Sequence, residues 1–252
     1  MSKILVKAED VKKYYSVKNN NTLKALDGVS LEIYEQEILG IVGESGCGKS
    51  TLGKCLMKLT DVTSGKITAF GRELGSVTGK EEKELRKHMQ MVFQNPFSSF
   101  NPKYSIGKSL GMVAEFYGFS KQQSAKRLEE LMQVVGLDKS VMTRMPTELS
   151  GGQLQRLAIA RALIAKPEFI LADEPVSALD VSVQAQILNL LLELKKKYGE
   201  TIVFISHDLP VVEHICDRVV VMYLGSILEM GRAEDLFKNP KHPYTKALLT
   251  AK

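Results

Sequence analysis

The stretch at residues 38–52, ILGIVGESGCGKSTL, constrains this chain more than any other. An apolar run meets a loop bracketed by glycines, and the loop closes on Lys49, Ser50 and Thr51. Gly43, four residues, then Gly48, Lys49 and Ser50 is the spacing of the phosphate-cradling motif called the P-loop. The physical demands behind that motif are specific. Backbone N–H groups have to turn inward around phosphate oxygens, so Gly43, Gly46 and Gly48 are expected where a side chain would obstruct. A helix starting near Lys49 aims its free N–H groups and its dipole at the same charge. Lys49 is expected to reach the β and γ phosphates, and the Ser50 hydroxyl to ligate Mg²⁺. The candidate cradle therefore comprises Gly43, Glu44, Ser45, Gly46, Cys47, Gly48, Lys49, Ser50 and Thr51. Ile38, Leu39, Ile41 and Val42 read as a buried parallel strand, and residues 52–59 continue as a helix, which is the context a phosphate loop needs.

A chain of 252 residues with 44% hydrophobic content has ample material for a proper core. The charge excess is mild: 34 basic against 29 acidic residues leave +5, compatible with a nucleotide or an anionic membrane surface without demanding nucleic acid. Three cysteines, Cys47, Cys55 and Cys216, with no CxxC pair, argue against a disulfide framework or a zinc site. The opening MSKILVKAED has no apolar signal region, and no apolar run approaches the ~20 residues that cross a bilayer. A cytosolic chain is the expectation.

Polar groups recur just past apolar strands, where catalysis is expected in a parallel α/β sheet. Residues 169–172 end in Asp173 and Glu174, and Pro175 stops the run. Beside a phosphate loop the first acid is expected to hold Mg²⁺ and the second to orient and deprotonate water. Residues 201–205 end likewise at Ser206, His207 and Asp208, making His207 a candidate γ-phosphate contact. His207 and His214 are seven apart with no third ligand, so no metal site is assigned to them. Ser150, Gly151, Gly152 and Gln153 open a helix with bare amides, a second candidate anion site with Ser150 as its N-cap. Tyr14 and Tyr15 offer aromatic faces that either stack on a base or pack on the sheet.

Elsewhere, residues 4–11 and 29–34 alternate as strands, with residues 16–24 an exposed polar hairpin loop between them. Residues 66–70 and 88–93 read as further strands, 81–87 as a charged helix, and 106–135 takes helical spacing as a separate lobe. A long amphipathic helix spans 181–198 and ends at Gly199. Residues 218–223 and 226–230 form a closing hairpin about Gly225, and 236–249 a basic tail.

The order of these pieces resembles the ATP-binding cassette (ABC) ATPases: the phosphate loop, Gln94, LSGGQ at 149–153, Asp173 with Glu174, SALD at 177–180, and His207. The resemblance covers nearly the whole chain. It implies an α/β fold with a P-loop NTPase core, an antiparallel β subdomain and an inserted α-helical subdomain. Residues 1–94 and 165–252 would form the catalytic RecA-like lobe with the β subdomain, and 95–164 the helical signature lobe. It implies ATP and Mg²⁺ as cofactors, and a head-to-tail pair of cassettes with two ATP molecules between them. Each ATP then meets one chain's phosphate loop and the other chain's Ser150, Gly151, Gly152 and Gln153. By the same resemblance Tyr15 stacks on adenine, Gln94 links Mg²⁺ and the attacking water to the helical lobe, Glu174 is the base and His207 contacts the γ-phosphate. Metal contacts would come from Ser50, Gln94 and Asp173.

A narrower resemblance, to importers of dipeptides, oligopeptides and nickel, rests on FQNPFSSFNPK at 93–103, PVSALDVSVQAQILNLL at 175–191 and KNPKHPYTKALL at 238–249. It implies a second ATPase subunit, identical or related, two membrane-spanning permease subunits, an extracytoplasmic solute-binding protein acting indirectly, and no nucleic acid. The chain would then sit peripherally on the cytoplasmic face of the membrane. The chain is expected to hydrolyse ATP to energise uptake of dipeptides or oligopeptides, and Leu154 after LSGGQ with the short tail ending at Lys252 keeps nickel or a metal chelate as the alternative cargo. A cassette acting on nucleic acid or ribosomes is the alternative of another class, and it is disfavoured by the compact helical lobe.

Overall fold

Three five-residue strands, Ile38–Val42, Phe169–Asp173 and Thr201–Ile205, are buried along their whole length. Runs of Ile, Val, Leu and Phe without polar alternation are what a parallel sheet covered on both faces requires. The computed structural model describes residues 3–17 and 21–250. The chain begins with β1 (Ile4–Val17), β2 (Asn21–Tyr34), β3 (Ile38–Val42), α1 (Lys49–Leu56), β4 (Ser64–Ala69), β5 (Arg72–Glu73), α2 (Gly79–His88) and β6 (Met89–Val92). Helices α3 (Ile106–Phe116), α4 (Lys121–Val134) and α5 (Gly151–Leu163) follow, with two short 3₁₀ turns between α4 and α5. The remainder is β7 (Phe169–Asp173), α6 (Val181–Tyr198), β8 (Thr201–Ile205), α7 (Leu209–Ile215), β9 (Arg218–Tyr223), β10 (Ser226–Arg232), α8 (Ala233–Lys238) and α9 (Pro243–Thr250).

Two sheets result. One is antiparallel, in the order β2-β1-β4-β5; the other runs β10-β9-β3-β8-β7-β6 and is parallel except for its β10 edge. Strand β3 lies between β8 and β9, so the loop that leaves it emerges at the carboxyl ends of its neighbours, where open α/β sheets place their ligands. The parallel sheet divides two apolar clusters. On one side Leu39, Ile41, Leu171, Val203 and Ile205 pack with α1 and the antiparallel sheet. On the other, Ile38, Val42, Ile170, Ile202 and Phe204 share a continuous cluster with Leu110, Leu131, Leu154 and Leu157 from the helices. Ser105, Ser120, Ser150, Asp180 and Asp208 each cap a helix by accepting a backbone N–H, which fixes where α3, α4, α5, α6 and α7 begin.

Three expectations need correction. The first hairpin is far longer than alternation over 4–11 and 29–34 indicated: Ser16, Val17 and residues 21–24 are strand, not loop, while Lys18, Asn19 and Asn20 lie outside the described residues. Register shifts along this pair break the alternation that marks strands in a sequence. The helical region 106–135 is two helices, parted at Tyr117 and Gly118, the latter at φ +88. Residues 236–249 are no tail; α8 and α9 pack Leu236, Phe237, Tyr244, Leu248 and Leu249 onto the main cluster.

One buried group is costly. Glu200, at the end of α6, has its Oε2 buried with no hydrogen-bond partner. Burial pushes its carboxyl up to about 7, with Arg127 pulling it back and Glu168 adding to the rise. Because the folded value lies above the unfolded one, the neutral acid suits the fold, and stability falls as pH rises from the unfolded value toward 7. Glu200→Gln is expected to stabilise the protein by about 2 kcal/mol at pH 8 and by little at pH 4.5. Thermal melts of both proteins across that range check the sign: equal gains at both pH values would contradict it.

Candidate functional site

The loop after β3 turns sharply into α1. Gly48 caps that helix at φ +107, and a Cβ there would lie 2.4 Å from the Ala25 carbonyl oxygen on β2, so both conformation and space require glycine. Gly46, at φ +81, meets open space instead, so only its backbone conformation, not crowding by the protein, calls for glycine. The loop is tied to its surroundings. Cys47 N donates to Glu44 O at 3.3 Å, and Gly225 N, in the β9–β10 turn, donates to Cys47 O at 2.9 Å. Lys49 is buried, with Nζ donating to the carbonyls of Gly43 and Glu44 at 2.7 and 2.8 Å and standing 3.9 Å from Cys47 Sγ. The ammonium is thus held inside the loop, and its attachments are neutral oxygens that an anion can outcompete.

Strands β7 and β8 deliver the acidic and imidazole groups, and β6 the Gln94 amide, to one edge of this loop. Asp173 closes β7 and accepts from Ser50 Oγ at 3.1 Å. Burial pushes its carboxyl above the usual range and neighbouring Glu174 adds to the rise, while the Ser50 hydroxyl, Lys54 and Lys49 work the other way. A buried carboxylate short of positive charge and beside a hydroxyl is a set of hard oxygen donors suited to a divalent cation. Glu174 follows at φ +46, its N–H donating to Ile205 O at 2.9 Å. Both carboxylate oxygens are engaged: Gln94 Nε2 donates to Oε2 at 3.0 Å, and His207 Nδ1 stands 3.2 Å from Oε1. Gln94 Nε2 also reaches Ser177 Oγ at 3.3 Å. With its amide nitrogen so occupied, Gln94 acts here as an orienter of Glu174, and a metal contact would have to use its carbonyl oxygen.

Tyr15, Ser45, Gly46, Gly48, Lys49, Ser50, Thr51, Gln94, Glu174 and His207 line one open cavity of about 670 Å³. The two tyrosines are placed differently. Tyr15 faces the cavity with Lys13 Nζ 5.0 Å from its ring centroid, whereas Tyr14 bonds Asp27 through its hydroxyl. Leu23, Lys24, Ala25, Leu224 and Gly225 complete the lining. Sequence reasoning missed these five, because they come from β2 and the β9–β10 turn and carry no chemical signature. Gly225 at φ +82 was the one hint, as the turn of the hairpin.

Ser150, Gly151, Gly152 and Gln153 are not among the residues lining this cavity. Ser150 and Gln153 form a reciprocal capping box at the start of α5. A Cβ at Gly152 would sit 2.4 Å from Val183 Cγ1, so close packing on α6 demands this glycine independently of any ligand. One cavity therefore gathers the phosphate loop with Gln94, Glu174 and His207, and residues 150–153 are not among its lining.

Comparison with known proteins places the chain in a family. Residues 26–177 match the family model described as ABC transporter, and residues 228–252 match that of the oligopeptide/dipeptide transporter C-terminal region. The oligopeptide transport ATP-binding protein OppF of Salmonella typhimurium is 46% identical over 99% of this chain and 78% of its own length. OppF of Bacillus subtilis is 45% identical over 100% of this chain and 83% of its own length. A solved structure of the cassette MJ0796, dimeric and bound to ADP and Pi, superposes with a TM-score of 0.82 at 30% identity, covering 91% of this chain and 99% of that one. Because these matches span the chain, this protein belongs to the ABC transporter family as an ATP-binding, ATP-hydrolysing subunit.

Proposed function

We propose that this protein is the motor subunit of an importer that takes up dipeptides or oligopeptides. The observation that carries the cargo class is the match of residues 228–252 to the oligopeptide/dipeptide C-terminal model, alongside relatives named for oligopeptide transport. That match outweighs the lean of Leu154 toward nickel.

In this reading ATP lies in the 670 Å³ cavity with its adenine on Tyr15 and its phosphates over the loop amides that follow Glu44, whose own N–H is taken by Tyr244. Lys49 exchanges its two carbonyls for phosphate oxygens. Ser50 and Asp173 would hold Mg²⁺, which would neutralise phosphate charge when bound. Glu174 takes the proton of the attacking water; Gln94 and His207, on opposite carboxylate oxygens, fix its direction. Positioning and charge stabilisation dominate such sites, so few titrating side chains suffice. Ser150, Gly151, Gly152 and Gln153 serve the ATP of a second cassette, identical or related. The dimeric MJ0796 complex supports that pairing. Residues 95–164 act as the lobe through which closure is passed to two permease subunits, with a solute-binding protein on the far side. None of the helices among the described residues is long and apolar enough to cross a membrane, which suits a peripheral subunit at the cytoplasmic face.

Uptake of labelled dipeptide, labelled oligopeptide and labelled nickel, compared in cells with the gene, without it and with Glu174→Gln, tests the cargo. Peptide uptake lost in the last two strains is the expected result. Loss of nickel uptake alone would move the cargo to the metal, and no loss of either would remove the transport role.

A further inference from the structure

The C-terminal segment touches the phosphate loop. Tyr244, in the first turn of α9, lies outside the cavity, yet its hydroxyl oxygen accepts the backbone N–H of Glu44 at 3.3 Å. Glu44 is also one of the two residues whose carbonyls hold Lys49 Nζ. The Tyr244 ring packs against Tyr223, centroids 4.6 Å apart, and Tyr223 leads directly into Leu224 and Gly225, which line the cavity. Gly225 in turn donates to Cys47 O on the other side of the loop. The loop is thereby gripped at Glu44 by α9 and at Cys47 by the hairpin that α9 stacks upon.

Helix α9 is itself anchored. Glu229 on β10 accepts from Lys241 N at 2.9 Å through one oxygen and from His242 N at 3.0 Å through the other. Burial raises the Glu229 carboxyl, but these backbone donors help hold it below the usual range. Tyr244 N donates to His242 Nδ1 at 3.1 Å, and Thr245 beside it is fully buried. A bidentate carboxylate and a buried side chain fix where the Tyr244 hydroxyl stands.

We infer that Tyr244 is a positioning residue for nucleotide binding: α9, clamped by Glu229, braces the first turn of the phosphate loop before ATP arrives. A loop whose amides are already arranged loses less freedom on binding, so the brace acts on affinity. The chemical step uses Glu174, Gln94 and His207, whereas Tyr244 bonds Glu44 and His242 and packs on Tyr223, so turnover at saturating ATP is spared. This rests on the reading that ATP occupies the cavity.

Tyr244→Phe keeps the ring against Tyr223 and deletes only the acceptor. In the full chain it is expected to weaken ATP binding by about threefold to tenfold, the range of one neutral hydrogen bond. In the assembled transporter KM for ATP rises by a similar factor with kcat within about twofold and the melting temperature unchanged. Glu229→Ala, which releases α9, is expected to weaken binding similarly, and the double variant no more than the stronger single one. In the unsubstituted chain the Glu44 amide exchanges slowly with solvent, and in Tyr244→Phe quickly. Wild-type affinity in Tyr244→Phe, or a fast Glu44 amide in the unsubstituted chain, overturns the inference while leaving ATP binding intact. Failure of the unsubstituted chain to bind ATP would instead overturn the reading of the cavity.

Discussion

Replacing Glu174 with glutamine is expected to leave ATP bound and to cut its hydrolysis by about a hundredfold to ten thousandfold. Glutamine has the same shape and can occupy the same backbone position at φ +46, so the fold has no reason to move. Its amide retains one carbonyl oxygen to accept from Gln94, as Glu174 Oε2 does at 3.0 Å. What it cannot do is take a proton from water. The phosphate-binding groups on residues 43–51 and the Tyr15 face are untouched, so affinity measured by equilibrium titration should stay near that of the unsubstituted chain. A single-turnover assay on the assembled transporter checks the chemical step directly. Near-normal turnover in this variant would show that Glu174 is not the base and that its contacts with Gln94 and His207 serve structure alone.

Most of the site was legible because its residues are dictated by local chemistry. The phosphate loop needs glycines at fixed spacing; buried parallel strands are apolar throughout; and their ends are where Asp173, Glu174 and His207 stand out against Ile, Leu and Val. Each of those is readable within a window of a few residues. The unread parts depend on residues far apart in the chain. Ala25 restricts Gly48 through a backbone carbonyl, which any residue type supplies. Leu224 and Gly225 reach the cavity only because β9 pairs with β3 in parallel. Helices α8 and α9 were hidden by lysines and prolines that give the stretch a polar look, while Tyr244, Leu248 and Leu249 pack on a cluster built elsewhere. The length of β1 and β2 was hidden differently, since their register shifts spoil the period-two pattern.

Gly152 carries two meanings at once. Its sequence context marks it as part of an anion site, and its packing on Val183 would require glycine even without one. Only the separation of residues 150–153 from the cavity tells the two roles apart, and that separation is a property of the folded chain. It also bears the heaviest consequence. If one chain holds a phosphate loop in one place and the LSGGQ amides in another, no single molecule can surround an ATP with both. A lone cassette should then bind nucleotide through residues 43–51 and yet hydrolyse it very slowly, because the groups that complete the γ-phosphate environment belong to a companion.

The direct test is hydrolysis per molecule as a function of concentration, using the purified chain alone and mixed with its companion ATPase, outside the membrane. Activity per molecule should fall steeply as the proteins are diluted below the concentration at which they pair, approaching zero in the monomer. An undiminished rate per molecule in the dilute monomer would contradict the account, because one chain would then contain a complete site.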